Sequence, residues 1–279
     1  MLKRLIGLIG LLPCLQGCSD IKAVDVLNAA IPAVGYSLTE NIAYGNDPRQ
    51  MLDIYHPDTR ADDHRLIVFI YGGAWRMGNK DEYEFVGQAL SSSGHTVVIP
   101  DYRLYPQVIF PDFITDVAAA ITSLPDQPSL SDIETRSIAI MGHSSGAHSA
   151  AVLTTDPQYL SGSGVFITAL IGLSGPYDLP LDNNEVTSVF PGAPAQKVKP
   201  VQMADATHPR TLLLHGLSDS RVIPRHTRRF AEVLQQHNVP VTTHLLDNGS
   251  HAGVLAGIAA PLRFTNDTLP IILEFLSDR

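Results

Sequence analysis

A serine hydroxyl becomes a nucleophile only where one group takes its proton and others hold the anion it creates. The run Ile138-Ala139-Ile140-Met141-Gly142-His143-Ser144-Ser145-Gly146 has the shape for that. A short apolar stretch feeds Gly-x-Ser-x-Gly, the pattern of a strand that turns sharply into a helix with serine at the apex. Two glycines let the arms of such a turn approach closely and tolerate strained dihedrals. The helix N-terminus behind Ser144 carries a partial positive charge, which favours the anion formed when a carbonyl is attacked. An ordinary Gly/Ser turn is the rival reading. The β-type residues before the motif and the small, helix-compatible Ala147 to Leu153 after it favour the nucleophile.

A base and an orienting carboxylate must come from elsewhere in the chain. Of eleven histidines, His251 stands in the polar stretch Asp247-Asn248-Gly249-Ser250-His251-Ala252-Gly253, after an apolar run and near the C-terminus. A loop there can carry an imidazole over a sheet edge, whereas His244 lies inside the run and cannot. His143 adjoins the serine but points away from an elbow, so it packs or lines the floor of the site. Asp219, in His215-Gly216-Leu217-Ser218-Asp219, follows another apolar run and lies between Ser144 and His251 in sequence. Its competitor Asp247 sits at a strand end, where a turn is its expected role. Donors for an oxyanion are expected from the amides of Gly72 and Gly73 in Tyr71-Gly72-Gly73-Ala74-Trp75, and from the amide of Ser145. Tyr71, Trp75 and His143 are the candidates for lining a substrate pocket, with core packing an equal reading for Trp75.

The elements that must position these residues alternate. Met51–Tyr55, Leu66–Tyr71, Thr96–Pro100, Ser137–Met141, Phe166–Leu173, Thr211–His215 and Val241–Leu246 read as strands. Those at 66 and 96 are apolar throughout, as strands buried on both faces are. Asp81–Ser91, Phe113–Leu124, the segment after Ser144, Pro224–His237 and Leu269–Leu276 read as helices. The order predicts an α/β fold: a mostly parallel central sheet with helices on both faces and its ligand site beyond the carboxyl ends of the strands. Pro180 to Met203 is the one sizeable insertion, placed to cap an acyl pocket.

At 279 residues, 44% hydrophobic and 17% charged, the chain suits one large globular domain. A net charge of −9 argues against nucleic acid as a partner. Arg221, Arg225, Arg228 and Arg229 read as a solvated helix face. Lys3 and Arg4 precede the apolar run Leu5 to Leu12, which is too short to span a bilayer and reads as an export signal. It ends in Leu15-Gln16-Gly17-Cys18, which resembles a bacterial lipobox, although Gln16 departs from the usual small residue. The expected division is residues 1–17 as a lipoprotein-type signal, 18–40 as a tether lipidated at Cys18, and 41–279 as the catalytic domain. A plain secretory signal is the alternative. Cys14 and Cys18 are the only cysteines, so the exported domain carries no disulfide and no cysteine metal site.

Together, Tyr71-Gly72-Gly73-Ala74-Trp75 with Gly78-Asn79-Lys80, Asp101-Tyr102-Arg103-Leu104-Tyr105-Pro106, the serine elbow, the Asp219 stretch and Gly249-Ser250-His251 resemble the α/β-hydrolase superfamily. The likeness is to its esterase branch, near carboxylesterases, hormone-sensitive-lipase-like enzymes and kynurenine formamidases. It runs from about Tyr44 to the C-terminus, and Ser, Asp, His is that superfamily's order. Tyr71 where many relatives have histidine, Ala74 for glycine, and His-Ser-Ser-Gly for Asp-Ser-Ala-Gly place it nearer the feruloyl/acetyl-xylan-esterase-like and isoprenylcysteine-methylesterase-like members. The resemblance implies an α/β-hydrolase fold and an internal ion pair for Arg103. It implies a Ser144–His251–Asp219 triad that cleaves carboxylic esters with no metal or organic cofactor, and the small cap over Pro180 to Met203 points to short acyl groups. A formamide or amide hydrolase or peptidase on the same triad is the alternative, and a catalytically silent surface-binding lipoprotein is the alternative from another class. The expected partners are a small-molecule ester and, through the lipid anchor alone, a membrane. The expected location is exported: outer-membrane or periplasm-facing in a Gram-negative cell, otherwise secreted or periplasmic.

Overall fold

The computed structural model describes residues 23–278. The export signal and Cys18 lie outside the described residues. Eight strands form one sheet: β1 (Tyr36–Ala43), β2 (Met51–Pro57), β3 (Leu66–Ile70), β4 (Thr96–Pro100), β5 (Ser137–His143), β6 (Phe166–Leu173), β7 (Arg210–Gly216) and β8 (Val241–Leu246). Their order across the sheet is β1-β2-β4-β3-β5-β6-β7-β8. β1 pairs antiparallel with β2 and β2 with β4, and every later pairing is parallel. The helices are α1 (Ala23–Ala29), α2 (Glu84–Ser91), α3 (Asp112–Thr122), α4 (Ser145–Thr155), α5 (Asn184–Val189), α6 (Ala195–Val198), α7 (Pro200–Met203), α8 (Arg225–Gln236), α9 (His251–Ala256) and α10 (Thr268–Ser277).

Every residue of β3 and β4 is buried, as their unbroken apolar runs require. Right-handed crossovers then fix the layers. The chain leaves β3 through α2 in one direction to reach β4, then returns through α3 in the other direction to reach β5, so α2 and α3 lie on opposite faces. The divergence opens a crevice where the carboxyl ends of β3 and β5 adjoin, the place where such sheets bind ligands. Register places particular residues there. Ile70 pairs with Gly142, so two residues further on Gly72 comes level with Ser144.

The chain differs from the sequence expectation at its N-terminal side. The expected tether over 18–40 is in part structured: α1 packs beside α2, with Asn28 Nδ2 donating to the Asp81 carbonyl at 2.8 Å and Asn28 Oδ1 accepting from the Phe85 amide at 3.2 Å. β1 joins the sheet from Tyr36, so the fold begins before residue 41. This strand escaped the pattern search because its register shifts between Thr39 and Ile42, with Asn41 at φ 58°. A bulge breaks the period-two alternation, and an edge strand has little need of apolar residues. The helix expected from Asp81 begins instead with a 3₁₀ turn, Lys80–Tyr83, where the Asn79 side chain accepts from the Glu82 amide. The insertion after Pro180 holds α5, α6 and α7. Arg221, Arg225, Arg228 and Arg229 are all exposed. Arg103 makes the expected internal pair, Nε and Nη2 holding the two oxygens of buried Asp116 at 2.8 and 2.7 Å.

Five histidines are buried in this frame: His95, His143, His148, His208 and His215. Burial pushes the first four imidazoles down from 6.5 to about 4 and lowers that of His215 as well. In the unfolded chain they protonate first, so stability is complete above the unfolded value and is lost as pH falls from 6.5 towards 4. The urea midpoint is therefore expected to drop between about pH 7 and about pH 5. Equal midpoints at the two values would contradict neutral burial of these rings.

Candidate active site

β5 delivers Ser144 to the crevice and α4 begins at the next residue. Ser144 stands at φ 56° and ψ −124°, outside the relaxed regions for a residue with a side chain. Two glycines make the turn sterically possible. A Cβ on Gly142 would run into the Gly146 carbonyl, and one on Gly146 into the carbonyl of Ile70. The Ser144 amide is tied to the Leu173 carbonyl of β6 at 2.9 Å.

His251 is the first residue of α9, not a free loop residue. Ser250 caps that helix by accepting from the Gly253 amide at 3.1 Å. The loop before it is bonded to the loop after β7: the Leu217 amide donates to Leu246 at 2.9 Å and the Ser218 amide to Gly249 at 3.0 Å. These links bring three distant residues together. His251 Nδ1 is 2.7 Å from Asp219 Oδ2, and His251 Nε2 is 2.9 Å from Ser144 Oγ.

The protons follow from the chemistry of the groups. Burial alone would raise the Asp219 carboxyl, but hydrogen bonds from His251 and from the amides of Val222 and Arg221 outweigh it and hold the group below the ordinary value. An ionised carboxylate only accepts, so His251 Nδ1–H donates to it and Nε2 is left with a lone pair. Ser144 Oγ–H then donates to Nε2. This is the protonation state in which a serine hydroxyl can be activated by general-base catalysis.

Two further histidines hold this pair in place. His143 is buried, and its Nε2–H donates to the His251 carbonyl at 2.9 Å, with the two rings 4.9 Å apart. Burial, helped by the neighbouring His251, pushes its imidazole down to about 4, so it brings no positive charge to the site. His215 is fully buried; its Nδ1 lies 2.7 Å from Thr227 Oγ1, and its Nε2 lies 2.7 Å from the Val222 carbonyl and 3.3 Å from Asp219 Oδ2. Only a proton on Nε2 satisfies those acceptors, with Nδ1 accepting from Thr227. Sequence pattern does not single out His215 as a site residue; its only signal is its place at a strand end four residues before Asp219.

The oxyanion candidates gather on one side of Ser144. Ser145 is the first residue of α4, so its amide has no intrahelical partner. A Cβ on Gly72 would lie 3.0 Å from the Ser144 Cβ, which measures how closely that backbone approaches. Gly73 stands at φ 127°, and among the described residues no backbone carbonyl accepts from its amide.

Two pocket candidates are corrected. Tyr71 is fully buried, stacked between Tyr83 and Tyr102, and its hydroxyl donates to Asp101 Oδ1 at 2.7 Å while accepting from Arg49 at 2.9 Å. It braces the loop and meets no open space. Trp75 takes the packing reading: it is buried edge-on to Phe190 and His148, its Nε1–H donating to Ser149 Oγ at 3.2 Å. His143 does line a cavity, one of about 570 Å³.

Comparison with known proteins places this geometry in company. The BD-FAE family model matches residues 52–234. A probable isoprenylcysteine α-carbonyl methylesterase of Arabidopsis thaliana is 29% identical over 255 residues, covering 82% of this chain and 60% of the relative. A kynurenine formamidase of Danio rerio is 30% identical over 169 residues, covering 57% of this chain and 56% of the relative. The chain thus spans about 60% of the length of the methylesterase relatives it matches. A truncated carbohydrate esterase from gut microbiota superimposes with a TM-score of 0.75 at 21% identity, covering 89% of this chain and 99% of that one. The fold is that of the α/β-hydrolases.

If Tyr71 is a brace, its hydroxyl matters to stability. Tyr71→Phe leaves Asp101 and Arg49 short of a partner and is expected to cost about 1–3 kcal/mol in urea unfolding. An unchanged midpoint would contradict the bracing role.

Proposed function

The chain belongs to the BD-FAE family, in the esterase branch of the α/β-hydrolases, and from that premise we propose that it hydrolyses carboxylic esters of short acyl groups. The observation that carries the reading is the hydrogen bond of 2.9 Å from Ser144 Oγ to His251 Nε2, with Asp219 on the other ring nitrogen at 2.7 Å. Ser144 Oγ attacks the ester carbonyl as its proton passes to His251 Nε2. Asp219 holds the tautomer and stabilises the imidazolium. The amides of Gly72, Gly73 and Ser145 take the oxyanion. On collapse the bond to the alcohol oxygen breaks and that oxygen takes the Nε2 proton, leaving the acyl group on Ser144. Water then attacks the acyl carbonyl, giving its proton to His251; the bond to Ser144 Oγ breaks as that oxygen takes the proton back, and the acid departs. The short-acyl preference is supported by the insertion, whose Phe190 closes with Trp75 and His148 in one buried cluster instead of leaving a long channel.

A formamide or amide hydrolase on the same residues is the second reading, favoured by the likeness to a kynurenine formamidase. Assays of p-nitrophenyl acetate beside N-formyl substrates decide between them. Ser144→Ala is expected to cost on the order of 10⁶ in turnover, and Asp219→Asn about 10⁴ through the wrong tautomer. Activity that survives Ser144→Ala contradicts the mechanism. Failure of a serine-directed phosphonate to label Ser144 would point to a silent binding protein.

The N-terminal reading is part of the proposal: residues 1–17 direct export and Cys18 carries the lipid that holds the domain at a membrane. Expression in a bacterial host with labelled palmitate should give a labelled chain, and Cys18→Ser an unlabelled one. Label retained in that variant would contradict the anchor.

A further inference from the structure

Proton transfer gives the two sides of the ester different addresses, because the leaving oxygen must come within reach of His251 Nε2. The alcohol therefore lies on the His251 side of Ser144, and the acyl group lies on the side away from it. The structure treats these two sides differently.

On the Trp75 side the space is filled. The Trp75 ring stands 4.8 Å from Phe190 and 5.2 Å from His148, and Phe190 is 5.3 Å from Phe110 and 5.7 Å from Phe113. The insertion is fastened over this cluster by His148 Nε2–H, which donates to the Val198 carbonyl at 2.7 Å. A short acyl group is all this side is built to meet.

On the His251 side a groove of about 570 Å³ runs between α1, the start of α2 and α9. His143, the neighbour of the nucleophile, and Ala252, the neighbour of the base, belong to its wall together with Leu27, Phe85, Ala256 and Leu262. Among the described residues no Lys, Arg, Asp or Glu lines it. Its polar rings are Tyr83 and His143, and His143 is kept neutral by burial and spends its Nε2–H on the His251 carbonyl. Such a groove has no charge to meet an ionised group and rewards apolar surface.

We propose that this groove binds the leaving alcohol, so that the substrate class is short-acyl esters of apolar alcohols several carbons long. The inference rests on the ester-hydrolase reading and adds to it the identity of the larger half of the substrate.

Isomeric esters test it, because octyl acetate and ethyl octanoate contain the same atoms and differ in which half is long. With the full chain, kcat/KM for octyl acetate is expected to exceed that for ethyl octanoate by about tenfold or more, and acetates should improve from ethyl to octyl. Ala256→Trp fills the groove and Leu27→Asp places a charge in it. Either should lower the ratio of octyl acetate to ethyl acetate kcat/KM by about tenfold, and a ratio taken within one variant does not depend on how much of that variant folds. Preference for ethyl octanoate, or a ratio unchanged in both variants, overturns the assignment of the groove while leaving the ester reading intact. No Ser144-dependent turnover of any ester overturns the ester reading and the groove assignment with it.

Discussion

The backbone of Ser144 is the constraint on which the carboxyl edge of the sheet depends. A non-glycine residue at φ 56° and ψ −124° costs on the order of 1–3 kcal/mol and persists only where its surroundings leave it no alternative. The surroundings here are fully specified. β3 and β6 flank β5 in parallel register, the Leu173 carbonyl takes the Ser144 amide, and α4 starts at once behind it. The close approach of Gly146 to the Ile70 carbonyl locks the helix start against β3. Relaxing the serine would mean withdrawing a whole helix from the strand that carries the glycine loop. Strain in one residue thus sets the position of both the hydroxyl and the donors beside it.

Electrostatically the site is built around one carboxylate among neutral rings. Asp219 accepts from two amides and from His251, with His215 Nε2 3.3 Å away, and the bonds from His251, Val222 and Arg221 keep it ionised despite burial. His143 and His215 flank the His251–Asp219 pair, and burial holds both neutral. A charged neighbour in either place would oppose protonation of His251. Neutral rings supply fixed N–H donors without that opposition. The buried histidines therefore orient the site at a cost that falls on acid stability.

Where the sequence was legible, a periodicity or a spacing carried the information. β6 and β8 were legible to the residue because stretches rich in β-branched residues end at turn residues, and Ser144, Asp219 and His251 because each follows a strand stretch. β1 was not legible, since its bulge scrambles the alternation that identifies a strand. His215 was hidden for another reason. Its role depends on Thr227 of α8 and on the Val222 carbonyl, partners that only the folded turn assembles. Tyr71 misled because a residue beside a glycine loop has two sides to face, and local sequence does not say which. The choice is made by Arg49 and Asp101, 22 and 30 residues away.

That choice also explains how backbone donors are kept rigid in a loop chosen for its lack of side chains. In the proposed oxyanion role, glycines leave the amides of Gly72 and Gly73 unobstructed, but they add nothing that holds the loop still. The bracing comes from the residues around them. The Tyr71 carbonyl accepts from the Tyr102 hydroxyl at 2.9 Å, the Gly78 carbonyl from Arg49 at 2.7 Å, and the Lys80 amide donates to Asp101 at 2.8 Å. Between those points the Trp75 carbonyl accepts from the Tyr105 amide at 2.9 Å, while Arg76 lies over the Tyr105 ring and donates to Ser188 of the insertion. Preorganised donors stabilise a developing charge without reorganising during the reaction. The Asp101-Tyr102-Arg103-Leu104-Tyr105 segment therefore works at one remove from the chemistry: its side chains and amides fix a neighbouring backbone. A histidine is dispensable at position 71 for the same reason, because what the position supplies is a buried anchor for the loop.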